Sequence, residues 1–380
     1  RQLAASKSVT LFIDNADNGD PQLLTWLRAE FLPELKQENL SLYVLASGQQ
    51  IILEWQGYRS GRPFASVLLP SLDDPLILQA IIDNVASRFG TKSLRRKRET
   101  ETAIWNHELQ LLATGLFQTT CGYPLAIEKV LLYAVEMEGL INSNFFIDHQ
   151  AELVEHCLRP VVDGYILPTL DRVVREPFRS LCIFRSIWPG LIRALATQTA
   201  VEPWPPFSDG SRATEFWWAL LQNTHLLQNV TARMLYPLSP TVRRVVALVL
   251  KNEDDILYRQ RNSRAKYEYT RLLQNMQLNP AHRAACLLEV FYHTTQERTL
   301  DAAAMQASFA ENLNELIVSP HDHAASSEML TLLLRWLRED SELHEAVDTV
   351  IHGGYDTLIT MVNERLKAEN TFEKDVISEL

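Results

Sequence analysis

The chain changes its hydrophobic period once, and that change constrains its fold more than any other feature. Before about residue 90, short apolar runs alternate with helix-spaced segments; from Thr102 onward almost every long segment repeats at helical spacing. The first pattern is that of a parallel α/β sheet, the second that of packed helices. "VTLFID" (Val9–Asp14) reads as one strand, "LSLYVLA" (Leu40–Ala46) as a second buried strand and "ASVLLPSL" as a third. Between and after them, "PQLLTWLRAEFLPELK" and "DPLILQAIIDNVASRF" carry apolar residues at helical spacing. Only 13 glycines in 380 residues favour helices over a turn-rich all-β fold.

The basic run "KSLRRKRE" (Lys92–Glu99) sits where the period changes, and reads as a solvated linker or helix face, or as a contact for a phosphate or a partner. Beyond it, "AIWNHELQLLATGLFQTTCGYPLAIEKVLLYAVEMEG" contains two amphipathic segments broken sharply at "TTCGYP". "EPFRSLCIFRSIWPGLIRALA" and "SRATEFWWALLQNTHLL" read as helices joined by a Pro-rich link, Val201–Gly210. "QNVTARMLYPL" suits a small hairpin before the helix "SPTVRRVVALVLKN", with Ser239 as its cap and Pro240 at its first position. Helices followed by a short hairpin and another helix suit a winged-helix domain. After about Asp254 the segments form either a helical-repeat array without a fixed-period consensus or a helical bundle.

The net charge of −11 gives no global footprint for nucleic acid or for an anionic membrane surface. With no long apolar span and no leader pattern, the chain reads as cytosolic. Cys121, Cys157, Cys182 and Cys286 lack a CxxC pairing and read as buried free thiols. Because Arg1 is not an initiator residue, the chain reads as a fragment or processed form of something longer.

A strand that runs into Asp14, with Asp17 just beyond, has a use in phosphoryl transfer. The first carboxylate holds Mg2+ and the second orients or deprotonates the attacking water. The C-terminal edge of a parallel sheet is where such a ligand binds. Equally, the two acids end a strand and cap the next helix. Ser47, Gly48 and Gln49 follow the second strand at the same edge, where a polar group would sense a γ-phosphate. Gly122 and Pro124 open a helix whose exposed N–H groups suit an adenine or a sugar. His321 and His323 lack a supporting cluster, Ser60–Arg62 lacks a base beside its serine, and Trp217 and Trp218 read as interdomain core.

In their order, these stretches resemble the STAND class of AAA+-related P-loop ATPases, which includes NLR-type receptors. The resemblance covers roughly Val9 to Gln296. "LFIDNAD" resembles the Walker B strand, "LYVLASG" the sensor 1 strand, "VLLPSLDDPL" the strand and lead into the last core helix, and "GYP" the GxP motif of the helical lid. "EPFRSLCIFRSIWPGLIRAL" through "LYPLSPTVRRVVALVL" is similar to the winged-helix domain, and "HRAACLLEVFYHTTQ" to the start of a sensor array. The chain departs from the family in lacking any GxxxxGK[ST], in carrying Gln49 where an Arg is frequent, and in having no MHD-like His. The resemblance implies a mainly α, multidomain protein: residues 1–97 the C-terminal part of the NTPase core, 98–172 the lid, 173–255 the winged helix and 256–380 a repeat-like sensor or scaffold. It implies ATP or ADP with Mg2+ between core and lid, Asp14 on the metal, Asp17 positioning water, and Gln49, Gly122 and Pro124 at the nucleotide, with a Walker A segment preceding Arg1. The expected function is a nucleotide-dependent switch that senses a ligand or protein through its C-terminal helices and self-associates on activation. The alternatives are a non-enzymatic scaffold with a degenerate NTPase domain, and a winged-helix regulator. Arg212 is the only cation of the candidate recognition helix, which speaks against DNA.

Overall fold

The computed structural model describes residues 8–13, 41–46, 72, 74–170, 172–187, 236–274, 279–297, 302–317 and 323–379. The chain divides into two compact units, Arg1–Pro70 and Ser71–Leu380. In the first, β1 (Ser8–Ile13) and β2 (Ser41–Ala46) pair in parallel from Ser8 opposite Ser41 to Ile13 opposite Ala46. This is the parallel pairing that the near-continuous apolar runs predict. The third expected strand and the first expected helix lie outside the described residues.

The second unit is mainly helical. It opens with α1 (Pro75–Phe89), where Asp74 caps the Leu76 amide at 2.8 Å and Leu78, Ile82 and Ala86 form the buried stripe. The basic run folds as α2 (Lys92–Thr100), followed by α3 (Thr102–Thr120). Asp83 ties these three helices together. It accepts from Arg98 at 2.6 and 2.8 Å and from the Trp105 indole at 2.9 Å, and Arg98 holds its carboxyl below the usual range. Lys97 pairs with Glu108 at 2.6 Å, and Arg95 donates to the carbonyls of Gly90 and Arg88. Three of the run's five cations, Arg95, Lys97 and Arg98, are thus committed within the fold. The expected boundary at 97/98 falls inside α2, and the boundaries at 172/173 and 255/256 fall in the first turns of α5 and α7.

α4 (Pro124–Glu136) leads through short turns into an irregular helical run from Phe145 to Thr169. Here Pro160 removes an N–H and crowds the preceding turn, and the helix widens into π turns at Val154–Leu158 and Val162–Ile166. Its buried residues come in adjacent pairs, 153/154, 157/158, 161/162 and 166/167. α5 (Arg172–Leu181) stops well short of the helix expected over 176–196. The chain turns at Cys182–Arg185 and enters β3 (Ser186–Ile187), which pairs antiparallel with β4 (Tyr236–Pro237). The apolar, partly β-branched sequence "CIFRSI" satisfies its burial as a corner rather than a helix, and the Leu238 amide donates to the Arg185 carbonyl at 3.1 Å. The hairpin expected within 228–238 lies mostly outside the described residues; its last part pairs with 186–187 instead.

α6 (Pro240–Glu253) begins at Pro240 as the sequence predicts, but the Ser239 side chain makes no capping bond. α7 (Asp255–Leu273) is capped by Asp254, which accepts from the Leu257 amide at 2.8 Å. The centre of the unit is α8 (Pro280–Thr295), buried at every position from Ala284 to Thr295. A helix covered all round sits at the middle of a bundle. α7, α9 (Ala302–Ile317), α10 (His323–Glu339) and α11 (Ser341–Val350) all pack on it, and α12 (Gly354–Glu379) packs on α9, α10 and α11. Phe291 of α8 meets Phe309 of α9 edge to face, 5.0 Å between ring centres. Replacing Phe291 by Ala is expected to cost about 3–5 kcal/mol, read as a lowered urea midpoint with an unchanged slope.

Candidate functional site

Asp14, Asp17 and Gln49 lie outside the described residues. Their strands end level with each other at Ile13 and Ala46. Gly122 and Pro124 are described. α3 ends at Thr120, Cys121 and Gly122 take left-handed backbone angles (φ 53° and 73°), and Pro124 starts α4. The second of two successive left-handed residues is where glycine avoids a steric cost. Gly122 is buried in this turn and Pro124 is exposed. His321, Ser60–Arg62, Trp217 and Trp218 lie outside the described residues, and among those described no three potential metal ligands cluster.

The densest polar constellation in the described structure is one that periodicity alone does not disclose. Three arginines from the segment 172–255 meet four carboxylates from 256–380. Arg185, placed by the corner after α5, donates from Nη1 to both oxygens of Asp340 at 2.9 Å and from Nε to Glu289 at 3.3 Å. Its guanidinium lies 4.3 Å from the centre of the Tyr292 ring. Arg243 pairs with Glu342 and approaches the same ring at 5.9 Å. Arg244 pairs with Glu345 at 2.7 Å and lies 5.1 Å from the Phe117 ring. Asp340 also caps α11, accepting from the Leu343 amide at 2.9 Å. The pattern has a sequence signal: two arginines inside the apolar run "VRRVVALVL" need acidic partners, and "DSELHE" offers three carboxylates at helix-start spacing.

Burial works to raise the Glu342 pKa, but Arg243, Arg185 and Arg244 outweigh it and hold the carboxyl down at about 2. Glu289 shares Arg185 with Asp340, and burial pushes it up. His293, next to Tyr292, lies between Tyr269 and Phe184. Its Nδ1 sits 2.8 Å from Asn262 Oδ1, and Asn262 in turn donates to the Tyr258 carbonyl at 2.9 Å. Burial, then Arg185 and Arg243, keep the imidazole neutral by holding its pKa well below the ordinary 6.5. All four cysteines are buried, as expected, and burial raises each thiol, Cys121 and Cys157 to about 11. None is a thiolate nucleophile at neutral pH.

Beside the ion pairs a cleft of about 360 Å3 opens between α3, α6, α7, α8 and α11, with Cys121, Arg244, Lys251, Tyr258, Tyr292 and Glu345 among its walls. Its volume lies within the small-molecule range. Its cations and carboxylates balance, and Arg243 and Arg244 already pair with Glu342 and Glu345 across it. Comparison with protein families, with curated proteins and with solved structures finds no match to this chain.

Two outcomes test the electrostatics. Arg243→Ala leaves Glu342 buried without its partner and is expected to cost about 3–5 kcal/mol, whereas joint replacement of Arg243 and Glu342 by Met and Leu restores most of the loss in chemical denaturation. The folded state takes up the His293 proton less readily than the unfolded chain, so stability is full above about pH 6.5 and falls as the pH drops below it. Glu342 adds a second loss as the pH falls from its ordinary 4.5 toward about 2. Denaturation midpoints between pH 7 and 5 should therefore decline, and His293→Gln, which keeps a donor for Asn262, should flatten that limb.

Proposed function

We propose that this chain carries the Walker B and sensor 1 strands, the lid, the winged helix and part of the sensor of a STAND-type nucleotide-dependent switch. In this reading ATP or ADP binds with Mg2+, Asp14 holds the metal, Asp17 positions the attacking water and Gln49 reads the γ-phosphate. Gly122 and Pro124 supply the lid's turn at the nucleotide, and the C-terminal helices register a ligand or partner and release the protein to self-associate. The observation that carries the reading is the β1–β2 register. The two strands run parallel and end together at Ile13 and Ala46, and in the sequence "DNAD" follows the first strand and "SGQ" the second. Carboxylates leaving the C-terminal edge of a parallel sheet suit a metal-bound phosphate better than they suit a buried scaffold. The left-handed turn before Pro124 adds the backbone that a GxP lid motif requires.

A second reading, a non-enzymatic scaffold, is favoured by the arginine seam, which fastens 172–255 to 256–380 through buried charge. No helix among the described residues is long and apolar enough to cross a membrane. Calorimetry with Mg-ATP on the full-length natural protein separates the two readings. The switch requires binding that Asp14→Ala abolishes, and hydrolysis that Asp17→Ala removes while binding persists. Absence of binding by the parent protein would leave the scaffold reading in its place.

A further inference from the structure

The arginine seam adds ion pairs to the packing of one short helix on α8 and α12, and this carries an inference independent of the nucleotide reading. α11 is ten residues long and buries two apolar side chains, Leu343 and Val347, whereas its neighbour α8 is buried at twelve successive positions. Beside the His344–Tyr355 stack and the Tyr355 amide on Asp348, three carboxylates fasten it: Asp340 on Arg185, Glu342 on Arg243 and Glu345 on Arg244. The segment is bounded by a turn at each end. On one side, Asp340 stops α10 and starts α11. On the other, Gly353 takes a left-handed φ of 70° in open space before α12 begins at Gly354. Beneath the segment its two ends are stapled together, because the Tyr355 hydroxyl donates to the Leu337 carbonyl and lies 3.3 Å from that of Asp340. A loop closed at its base can lift without unravelling α10 or α12.

We propose that α11 is a detachable strap, held down by charge, whose release uncovers the arginine face of Arg185, Arg243 and Arg244 around Tyr292. The side chains of α11 form one wall of the 360 Å3 cleft, so lifting it converts the cleft into an open, basic, aromatic-floored surface. Arg243 and Arg244 would then lose their α11 partners and could take an acidic segment with the carboxylate spacing of α11 itself, while Arg185 keeps Glu289 of α8 beside them.

Hydrogen-exchange mass spectrometry on the whole chain tests this, with thiol labelling as the control for global unfolding. Amides of 341–350 should exchange at least about tenfold faster than those of 284–295, reporting a local opening below the global one. Arg244 and Glu345 are the most exposed of the pairs, so Glu345→Arg is expected to fold and to raise exchange in 341–350 several-fold more. The swap Arg244→Glu with Glu345→Arg should bring it back. Cys182 and Cys286, fully buried away from the strap, should stay unlabelled throughout. The strap is refuted if 341–350 and 284–295 exchange at one common rate, if Glu345→Arg leaves 341–350 unchanged, or if all four cysteines label together with its exchange.

Discussion

Arg185 is the charge around which the second unit is arranged. Its side chain and those of Glu289 and Asp340 are each less than a tenth exposed, and an ion so placed loses several kcal/mol of hydration. That loss is tolerable only with near-complete hydrogen bonding, and the fold supplies it from four directions. The corner after α5 brings the guanidinium in, α8 contributes Glu289, the Leu288 carbonyl and the Tyr292 ring, and the cap of α11 contributes Asp340. A helix in place of the 182–187 corner would point Arg185 elsewhere and leave two buried carboxylates unpaired. The short strand pair β3–β4 is small, but it fixes that corner.

The distribution of charge along the chain follows the same logic. The arginines of the seam belong to one stretch and its carboxylates to the next, so neither stretch satisfies the charge of the seam alone. Buried ion pairs add specificity rather than stability, because apolar residues of the same shape pack as well at lower desolvation cost. The seam joins α6 and the corner after α5 to α8 and α11 through these pairs. The basic run at Lys92–Glu99 plays a similar part on a smaller scale: Arg98 and Lys97 are positioned by Asp83 and Glu108, so a stretch that looks like a binding surface in one dimension is half structural in three.

Local signals in the sequence were legible where the cause is local. Near-continuous apolar runs marked β1 and β2, Pro124 and Pro240 marked helix starts, and "TTCGYP" marked a break that two left-handed residues make. The Ser239 side chain makes no capping bond, although Pro240 begins the helix as expected. The helix over 176–196 failed because periodicity cannot see that Arg185 has partners 104 and 155 residues away. The run "VRRVVALVL" signals that its arginines need partners, but nothing in a window of a dozen residues says that the partner of Arg243 is Glu342, 99 residues away. The candidate nucleotide residues were legible only as motifs, and of these Gly122 and Pro124 alone fall where the structure describes the backbone.

The widened helix around Pro160 has a consequence for how such a stretch is read. Its buried pairs are separated by 4, 4 and 5 residues, whereas an α-helix returns to the same side every ~3.6. In a regular helix those positions would creep around the cylinder by roughly 40° for each interval of four, and the last pair would face away from the first. Each π turn takes up an additional residue and cancels the creep, so one straight seam of apolar side chains runs the length of the segment. Two residues that look like insertions in the repeat are what keep it in phase, and their removal would turn the far half of the helix, rather than shorten it.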